Sequence, residues 1–301
     1  MFYHRVTMQT VDGPIQKPTP TPPQEALADA LAKLQGRWGS AAISLGNGAQ
    51  PGYQADDLPL THGALALGPA IDPDPVPSPA RAPHPTDVTS TGFPDLDALL
   101  GPGGLPRQAS AAIRGDTSSG KTTLALRCLA EAQQGGAIAA WLDLQASFDP
   151  IEAFARGVDP RWLLVVRSKD HEEGFTICGS LLSGRVVDLL VVDLPAELPP
   201  RREAILRRLS AHARRVGARL IVLEPQSISS STHGALAEVT GLRLELEREG
   251  WIRLGRDVVG QRTRVTVAKN RFGPPGRHVV LGIHYLDDGE RRMGTHRFAG
   301  P

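Results

Sequence analysis

Apolar and polar residues follow two different periods along the chain, and the change of period marks its architecture. Between residues 109 and 223, short apolar runs alternate with segments in which apolar residues recur every three or four positions. The short runs are typical of buried strands, and the longer segments are typical of amphipathic helices. Strands are predicted at 109–114, 137–144, 162–166, 186–194 and 219–223, and helices at 121–134, 149–156, 172–182 and 199–216. This alternation indicates an α/β fold with a mostly parallel central sheet and helices on both faces.

A period of two replaces this pattern after Gly241. Segments 242–246, 264–268 and 279–283 alternate apolar and polar residues, as half-buried strands do. The sequence therefore predicts antiparallel strands added to one edge of the sheet, within a core that spans residues 88–290.

The N-terminal part is predicted to be separate from this core. Residues 1–23 are polar, end in a proline cluster and are expected to be disordered. A helix is predicted at 23–36, within a helical segment 24–46, because its apolar residues share one face. Nine prolines between Pro51 and Pro85 predict an extended linker over 47–87. A tail is predicted at 291–301, where the arginines are either a weak phosphate contact or a solubilising segment.

Composition restricts the function classes. The 301 residues include 33 basic and 32 acidic side chains, so the net charge of +1 gives no global attraction to nucleic acid or membrane. Cys128 and Cys178 fall in apolar helical patterns and are expected to be buried free thiols. No apolar run is long enough for a membrane span, and the N-terminus lacks the apolar block of a signal peptide. We expect a cytoplasmic protein.

One motif carries specific chemistry. The stretch Gly115–Thr122 matches Gly-x-x-x-x-Gly-Lys-[Ser/Thr] between a predicted strand and a predicted helix. In such a loop, backbone N–H groups and the lysine bind phosphates, the hydroxyl ligates Mg²⁺, and the helix N-terminus favours the negative charge. The predicted contacts with ATP are Gly115, Asp116, Thr117, Ser118, Ser119, Gly120, Lys121, Thr122 and Thr123.

Asp193 is the second candidate, since it ends the apolar strand 186–194. A carboxylate there lies beside the loop, and with Thr122 it could hold Mg²⁺. The alternative is a turn or helix cap.

The chain resembles the RecA recombinase family over nearly its whole length, except for the extreme N-terminus and the proline linker. The stretches that carry the resemblance are 25–34, 89–97 followed by 103–106, the phosphate loop and 258–271. The resemblance implies a RecA-like core whose N-terminal helix packs on a neighbouring subunit. It also implies that Lys269 and Arg271 reach the ATP of an adjacent subunit, unless they form a solvated strand edge.

The chain departs from that family beside the phosphate loop. Gln145 stands where the family has a glutamate that activates the attacking water, and an amide cannot take a proton at neutral pH. Asp149 is retained and is expected to contact adenine, whereas Glu152 replaces the tyrosine that would stack on it. ATP binding is therefore expected, with slow or absent hydrolysis.

The DNA-binding loops of the family are also altered. The first is missing after Asp193, and the second, 226–234, has no lysine or arginine and no phenylalanine, tyrosine or tryptophan for single-stranded DNA. Gln226 or Pro225 occupies the position of the family's γ-phosphate sensor. Glu238 replaces a buried aromatic residue of the subunit contact. The arginines of the helix 199–216 cover more than one side, as a solvated face does. Any DNA contact is thus expected to be weak or indirect, and a self-assembled filament is not favoured.

These losses are similar to those of the ImuA accessory factors, which are RecA-like proteins without the C-terminal domain of the recombinase. That resemblance implies a scaffold role in translesion DNA synthesis, with a Y-family polymerase-like protein and an error-prone DNA polymerase as partners. Two alternatives remain open from the sequence. One is a regulator of RecA filaments, and the other is an active DNA-dependent ATPase and recombinase.

Overall fold

The computed structural model describes residues 22–46, 88–107, 109–198 and 203–285. The α-helices are α1 (Pro22–Trp38), α2 (Pro94–Leu100), α3 (Lys121–Gln134), α4 (Pro150–Ala155), α5 (His171–Ser183), α6 (Glu203–Val216) and α7 (Ser230–Val239). The strands are β1 (Ile43–Leu45), β2 (Val88–Thr89), β3 (Leu105–Pro106), β4 (Ser110–Gly115), β5 (Ala139–Asp143), β6 (Leu163–Val166), β7 (Leu189–Asp193), β8 (Arg219–Pro225), β9 (Leu242–Leu254), β10 (Asp257–Asn270) and β11 (His278–His284).

Nine strands of the described residues form one sheet in the order β1-β6-β5-β7-β8-β4-β9-β10-β11. All neighbours from β6 to β9 in this order are parallel. The predicted α/β class and the mostly parallel central sheet are confirmed. Their physical basis is the apolar character of these strands, which are buried on both faces.

Two core clusters lie on opposite faces of the sheet. One contains buried residues of α2, α3 and α4, and the other contains buried residues of α1, α5, α6 and α7. Along β5 the side chains alternate between them, since Trp141 belongs to the first cluster and Leu142 to the second. Among the described helices, none has the length and apolar character needed to cross a membrane.

The prediction that 242–246 is one of the antiparallel strands added to the edge of the sheet holds on one side only, where this segment pairs antiparallel with β10. Leu242 to Leu246 pair in parallel with Ala111 to Gly115 of β4, so β9 completes the parallel sheet. The antiparallel pairs are β9 with β10 and β10 with β11. Along β9, residues 242–244 are all buried, and burial then alternates, with Leu246 buried between the exposed Glu245 and Glu247.

The N-terminal segment is not only helical. Its strand β1 pairs antiparallel with β6 at the far edge of the sheet, where Ile43 is fully buried. Leu27 on α1 is buried in the same core cluster. The segment therefore packs on its own core, whereas the resemblance implied contact with a neighbouring subunit. The predicted disordered N-terminus, proline linker 47–87 and tail 291–301 lie outside the described residues, apart from α1, which begins at Pro22.

The second altered loop is shorter than predicted. Residues 230–234 belong to α7, which begins after Ser229, whose side chain accepts a hydrogen bond from the N–H of Thr232. Only residues 226–229 connect β8 to this helix.

Candidate nucleotide-binding site

The phosphate loop connects β4 to α3 at the carboxyl edge of the parallel strands. The Asp116 carboxylate accepts a hydrogen bond from the N–H of Ser118 at 3.1 Å, and the Ser119 hydroxyl donates to the Asp116 carbonyl at 2.9 Å. Gly120 ends the loop in the left-handed region at φ +88° and has no side chain to cap α3. The N–H groups of the first helical turn are thus directed toward the loop, which favours an anion.

Lys121 lies across this loop. Its Nζ donates to the Asp116 carbonyl at 3.0 Å. Burial lowers the pKa of Lys121, while Asp193 and Asp116 oppose that shift. A phosphate group would supply a stronger charged acceptor than the carbonyl does. Thr122 is exposed and Thr123 is half-buried on the same turn.

Asp193 ends β7 next to this lysine and is only 6% exposed. Burial raises the pKa of Asp193 to about 6; Asp143 adds to this shift, and Lys121 and hydrogen bonds from Ser147 and Gln145 oppose it. A buried carboxylate beside the phosphate loop fits Mg²⁺, which takes a few protein oxygens and completes its shell with phosphates and water. The sequence alternative, a helix or turn cap, does not describe Asp193, whose described hydrogen bonds come from side chains.

Gln145 lies beside this carboxylate. Its Nε2 donates to the Leu194 carbonyl at 3.1 Å and lies 3.5 Å from Oδ1 of Asp193. The structure therefore brings Gln145, Asp193 and Lys121 together. An amide that faces two acceptors is held as a donor and offers no basic atom to a water molecule at that point.

Asp149 lies at the N-terminus of α4. Its Oδ1 accepts hydrogen bonds from the N–H groups of Ile151 at 2.8 Å and Glu152 at 3.2 Å. Glu152 in turn pairs with Arg156 at 2.6 Å. Asp149 is thus a helix cap in this structure, and its contact with adenine stays a prediction.

Lys269 and Arg271 lie away from the phosphate loop of their own chain. Lys269 pairs with Arg243 in the β9–β10 register, and Arg243 pairs with Ala112 of β4. Ala112 precedes Gly115, where the phosphate loop begins. Lys269 Nζ donates to the Ala237 carbonyl at 2.6 Å, and Arg271 Nη2 to the Glu238 carbonyl at 3.2 Å. Both cations therefore hold the C-terminal turn of α7, and the contact with a neighbour's nucleotide stays a prediction.

Sequence reasoning missed two side chains beside the phosphate loop, one on β10 and one just after β11. Gln261 Nε2 donates to the Ser118 carbonyl at 3.0 Å, and Tyr285 donates its hydroxyl proton to Oε1 of Gln261 at 3.0 Å. Gln261 is 3% exposed. The only signal in the sequence was the family-like stretch 258–271, which includes Gln261 but does not show that Gln261 contacts Ser118.

A buried ion cluster behind the loop was also missed. Glu224, fully buried at the end of β8, contacts Nδ1 of His233, and its other oxygen lies 3.2 Å from Nη2 of Arg243. Arg114 lies 3.6 Å from the same carboxylate and donates to the Gln226 carbonyl at 3.0 Å. The N–H of Gln226 donates to the Gly115 carbonyl at 3.1 Å, so Gln226 directly follows the strand pair at the loop.

Comparisons with known proteins show the family of this chain. The family described as the RecA N-terminal domain matches residues 80–222. Over 309 aligned residues the chain is 30% identical to Protein RecA of Mannheimia haemolytica, and the match covers 93% of this chain and 75% of that protein. The chain belongs to the RecA family.

A solved structure was also found. The chain is similar to the flagellar accessory protein FlaH of Methanocaldococcus jannaschii, with 14% identity and a TM-score of 0.48, over 62% of this chain and 89% of that one. Membership of the RecA family confirms the coarser resemblance seen in the sequence, and it leaves the likeness to ImuA accessory factors as a hypothesis.

Proposed function

We propose that this RecA-family protein binds ATP·Mg²⁺ and hydrolyses it slowly or not at all. It would act as an accessory or scaffold factor in the bacterial DNA-damage response, in support of translesion DNA synthesis. Gly115–Thr123 would bind the phosphates, and Thr122 and Asp193 would hold the metal. The bound nucleotide would stabilise the shape of a surface that binds other proteins.

The observation that carries this proposal is the environment of Gln145. The phosphate loop, Lys121 and Asp193 lie together, which supports nucleotide binding, and the group beside them is an amide that donates to Leu194 and Asp193. Loss of a general base costs on the order of 10²–10⁴ in rate. Such a site supports binding better than turnover.

The residues at the position of the family's second DNA-binding loop, and the arginines of α6, support an accessory role. The connection 226–229 contains no basic and no aromatic residue, and Ile228 within it is buried. On α6, the described arginines at 207, 208, 214 and 215 are exposed, as a solvated face is. Arg201, Arg202 and the basic tail lie outside the described residues. Single-strand binding requires cationic or stacking groups, which this connection does not supply.

Glu238 supports the proposal that the chain does not form the family's filament by itself. Its side chain is 68% exposed and pairs with Arg207 at 2.8 Å. Burial of this pair under a second copy would desolvate two charges at a position where an apolar contact is implied.

The binding step is tested with Lys121→Ala, and Lys33→Ala on the exposed face of α1 is the matched control. We expect Lys121→Ala to abolish binding of Mg·ATP in calorimetry, because the loop loses its only lysine, and Lys33→Ala to bind as the wild type does. Normal binding by Lys121→Ala would show that the phosphate site lies elsewhere.

The accessory role is tested by hydrolysis and by partner capture. We expect little ATP hydrolysis, with no strong stimulation by single-stranded DNA. Purified Y-family polymerase-like protein and error-prone polymerase should be retained on the immobilised chain with Mg·ATP. Retention of RecA instead would favour the regulator of RecA filaments, and strong DNA-stimulated hydrolysis would favour the active recombinase.

A further inference from the structure

An aromatic pair lies exposed beside the phosphate loop, on strands that extend past it. Trp251 of β9 and Tyr285 after β11 are each 44% exposed, and their ring centroids are 6.5 Å apart in an edge-on arrangement. The guanidinium carbon of Arg248 lies 4.2 Å from the centre of the Trp251 ring. One face of the indole is therefore covered by a cation, while a large part of the residue remains open.

The pair is connected to the phosphate site by short contacts. Trp251 is directly opposite Gln261 in the β9–β10 register, so both side chains leave the same face of the sheet. Gln261 Nε2 donates to the Ser118 carbonyl, and Oε1 of Gln261 accepts the hydroxyl of Tyr285. Gln261 thus joins the phosphate loop to Tyr285 by hydrogen bonds, and Trp251 lies next to Gln261 on the neighbouring strand.

Strands β10 and β11 pack directly against the phosphate loop. An added Cβ at Gly120 would lie 2.4 Å from Cδ1 of Ile283 and 3.2 Å from Nε2 of Gln261, so β10 and β11 press on the loop itself. The N–H of Tyr285 donates to the Val259 carbonyl at 2.9 Å, which fixes the backbone beyond β11. Both rings are therefore held by strands that contact the phosphate loop.

We infer that Trp251, supported by Arg248 and Tyr285, is the stacking platform for the base of the bound nucleoside triphosphate. The inference rests on the proposed binding of ATP at the same site. An aromatic face with a cation behind it suits a nucleobase, because every base has a π-face and stacking contributes substantially to affinity. Polar side chains on the other side of the site are already engaged, with Asp149 as a helix cap and Glu152 paired to Arg156.

Phe154 on α4 is the matched comparison. It is 71% exposed, and no aromatic or cation partner of its ring occurs among the described residues. It is also not a cross-strand neighbour of Gln261, the residue that hydrogen-bonds to Ser118. Phe154→Ala therefore removes an exposed ring without touching the proposed platform.

The test is calorimetry on the full chain with two ligands, Mg·ATP and Mg·tripolyphosphate, which has the charges but no base. We expect Trp251→Ala to weaken ATP binding by about tenfold, with tripolyphosphate binding unchanged, since stacking on an aromatic ring contributes on this order per base. Trp251→Phe should restore most of the loss, and Phe154→Ala should bind both ligands as the wild type does. Unchanged tripolyphosphate binding also shows that the variant is folded.

Two results would overturn the inference while leaving the proposed function intact. One is wild-type affinity for ATP in Trp251→Ala, and the other is an equal loss of both ligands, which would assign the residue a structural role only. If the wild-type chain bound neither ligand, the proposed nucleotide binding would itself fail, and the platform with it.

Discussion

Three charged or polar side chains lie together beside the phosphate loop. Lys121 supplies the positive charge, Asp193 is a buried carboxylate, and Gln145 donates its amide toward Asp193 and the Leu194 carbonyl. A carboxylate at position 145 would face two acceptors instead. In the free protein it would therefore turn toward solvent, where it could meet a water molecule next to bound nucleotide.

The first prediction concerns Gln145→Glu. We expect this change to raise the rate of ATP hydrolysis by about 10²-fold, because it restores a group that can accept a proton from the attacking water. Single-turnover hydrolysis measures the effect, and Gln145→Leu, which also breaks the amide contacts, should show no gain. An unchanged rate with intact ATP affinity would mean that more than one residue of the catalytic geometry has been lost.

The second prediction concerns the pH dependence of stability. Burial raises the pKa of Asp193 to about 6 in the folded chain, from about 3.9 in an unfolded one. A raised pKa means that the folded state binds the proton more tightly, so the contribution of this group is fully present below about pH 4. It is lost as the pH rises through about 6.

Asp193→Asn removes this ionisation. Without nucleotide, we expect its free energy of unfolding to exceed that of the wild type by about 1–2 kcal/mol at pH 7.5, with the difference vanishing near pH 4. Urea unfolding at the two pH values measures it. Equal stability of variant and wild type at both values would show that the carboxylate is better solvated than its burial suggests.

At the scale of the element, the strand–loop–helix unit depends on close contacts made by glycine. Gly120 combines φ +88° with a neighbouring side-chain atom, Cδ1 of Ile283, 2.4 Å from an added Cβ. Backbone strain and steric overlap act together at this position. The N-terminus of α3 therefore reaches its place only with glycine at the end of the loop.

The third prediction is that Gly120→Ala destabilises the protein by about 1–3 kcal/mol and impairs nucleotide binding. Gly179→Ala in α5 is the control, because an added Cβ there meets nothing within 4 Å. That variant should be as stable as the wild type or slightly more stable, since alanine is the better helix former. Thermal unfolding distinguishes the two, and equal behaviour of both variants would contradict the steric argument.

At the scale of the whole molecule, the N-terminal segment closes one edge of the sheet. β1 pairs with β6, and Ile43 is fully buried between the sheet and α1, next to partly buried Leu31, Leu34 and Trp38. An uncovered parallel edge would expose unpaired backbone groups and apolar surface. The segment is therefore part of the core fold.

The fourth prediction follows from this packing. Ile43→Ala should lower the free energy of unfolding by about 2–4 kcal/mol, through lost burial and the cavity left behind. Ser44→Ala on the same strand is the control, with an expected change below about 0.5 kcal/mol. Chemical unfolding followed by circular dichroism measures both. No loss of stability in Ile43→Ala would show that the segment does not stabilise the core in solution.

The sequence by itself determined the fold class, the phosphate loop and the neighbourhood of Asp193 and Gln145. These features depend on periodicity and spacing over short stretches, because a buried parallel strand is apolar throughout and its polar ligands follow at its end. The buried state of Cys128 and Cys178 was also predicted correctly from their helical patterns.

Only the tertiary structure decided which distant segments meet. It placed β9 in parallel beside β4, brought β1 to the far edge, and set Gln261 against Ser118, which is 143 residues away in sequence. It also gathered Glu224, Arg243 and His233 into one buried cluster. Local patterns do not specify such contacts, because an amphipathic strand or a buried charged side chain can pack against many different partners. The choice among partners is made by packing of the whole chain.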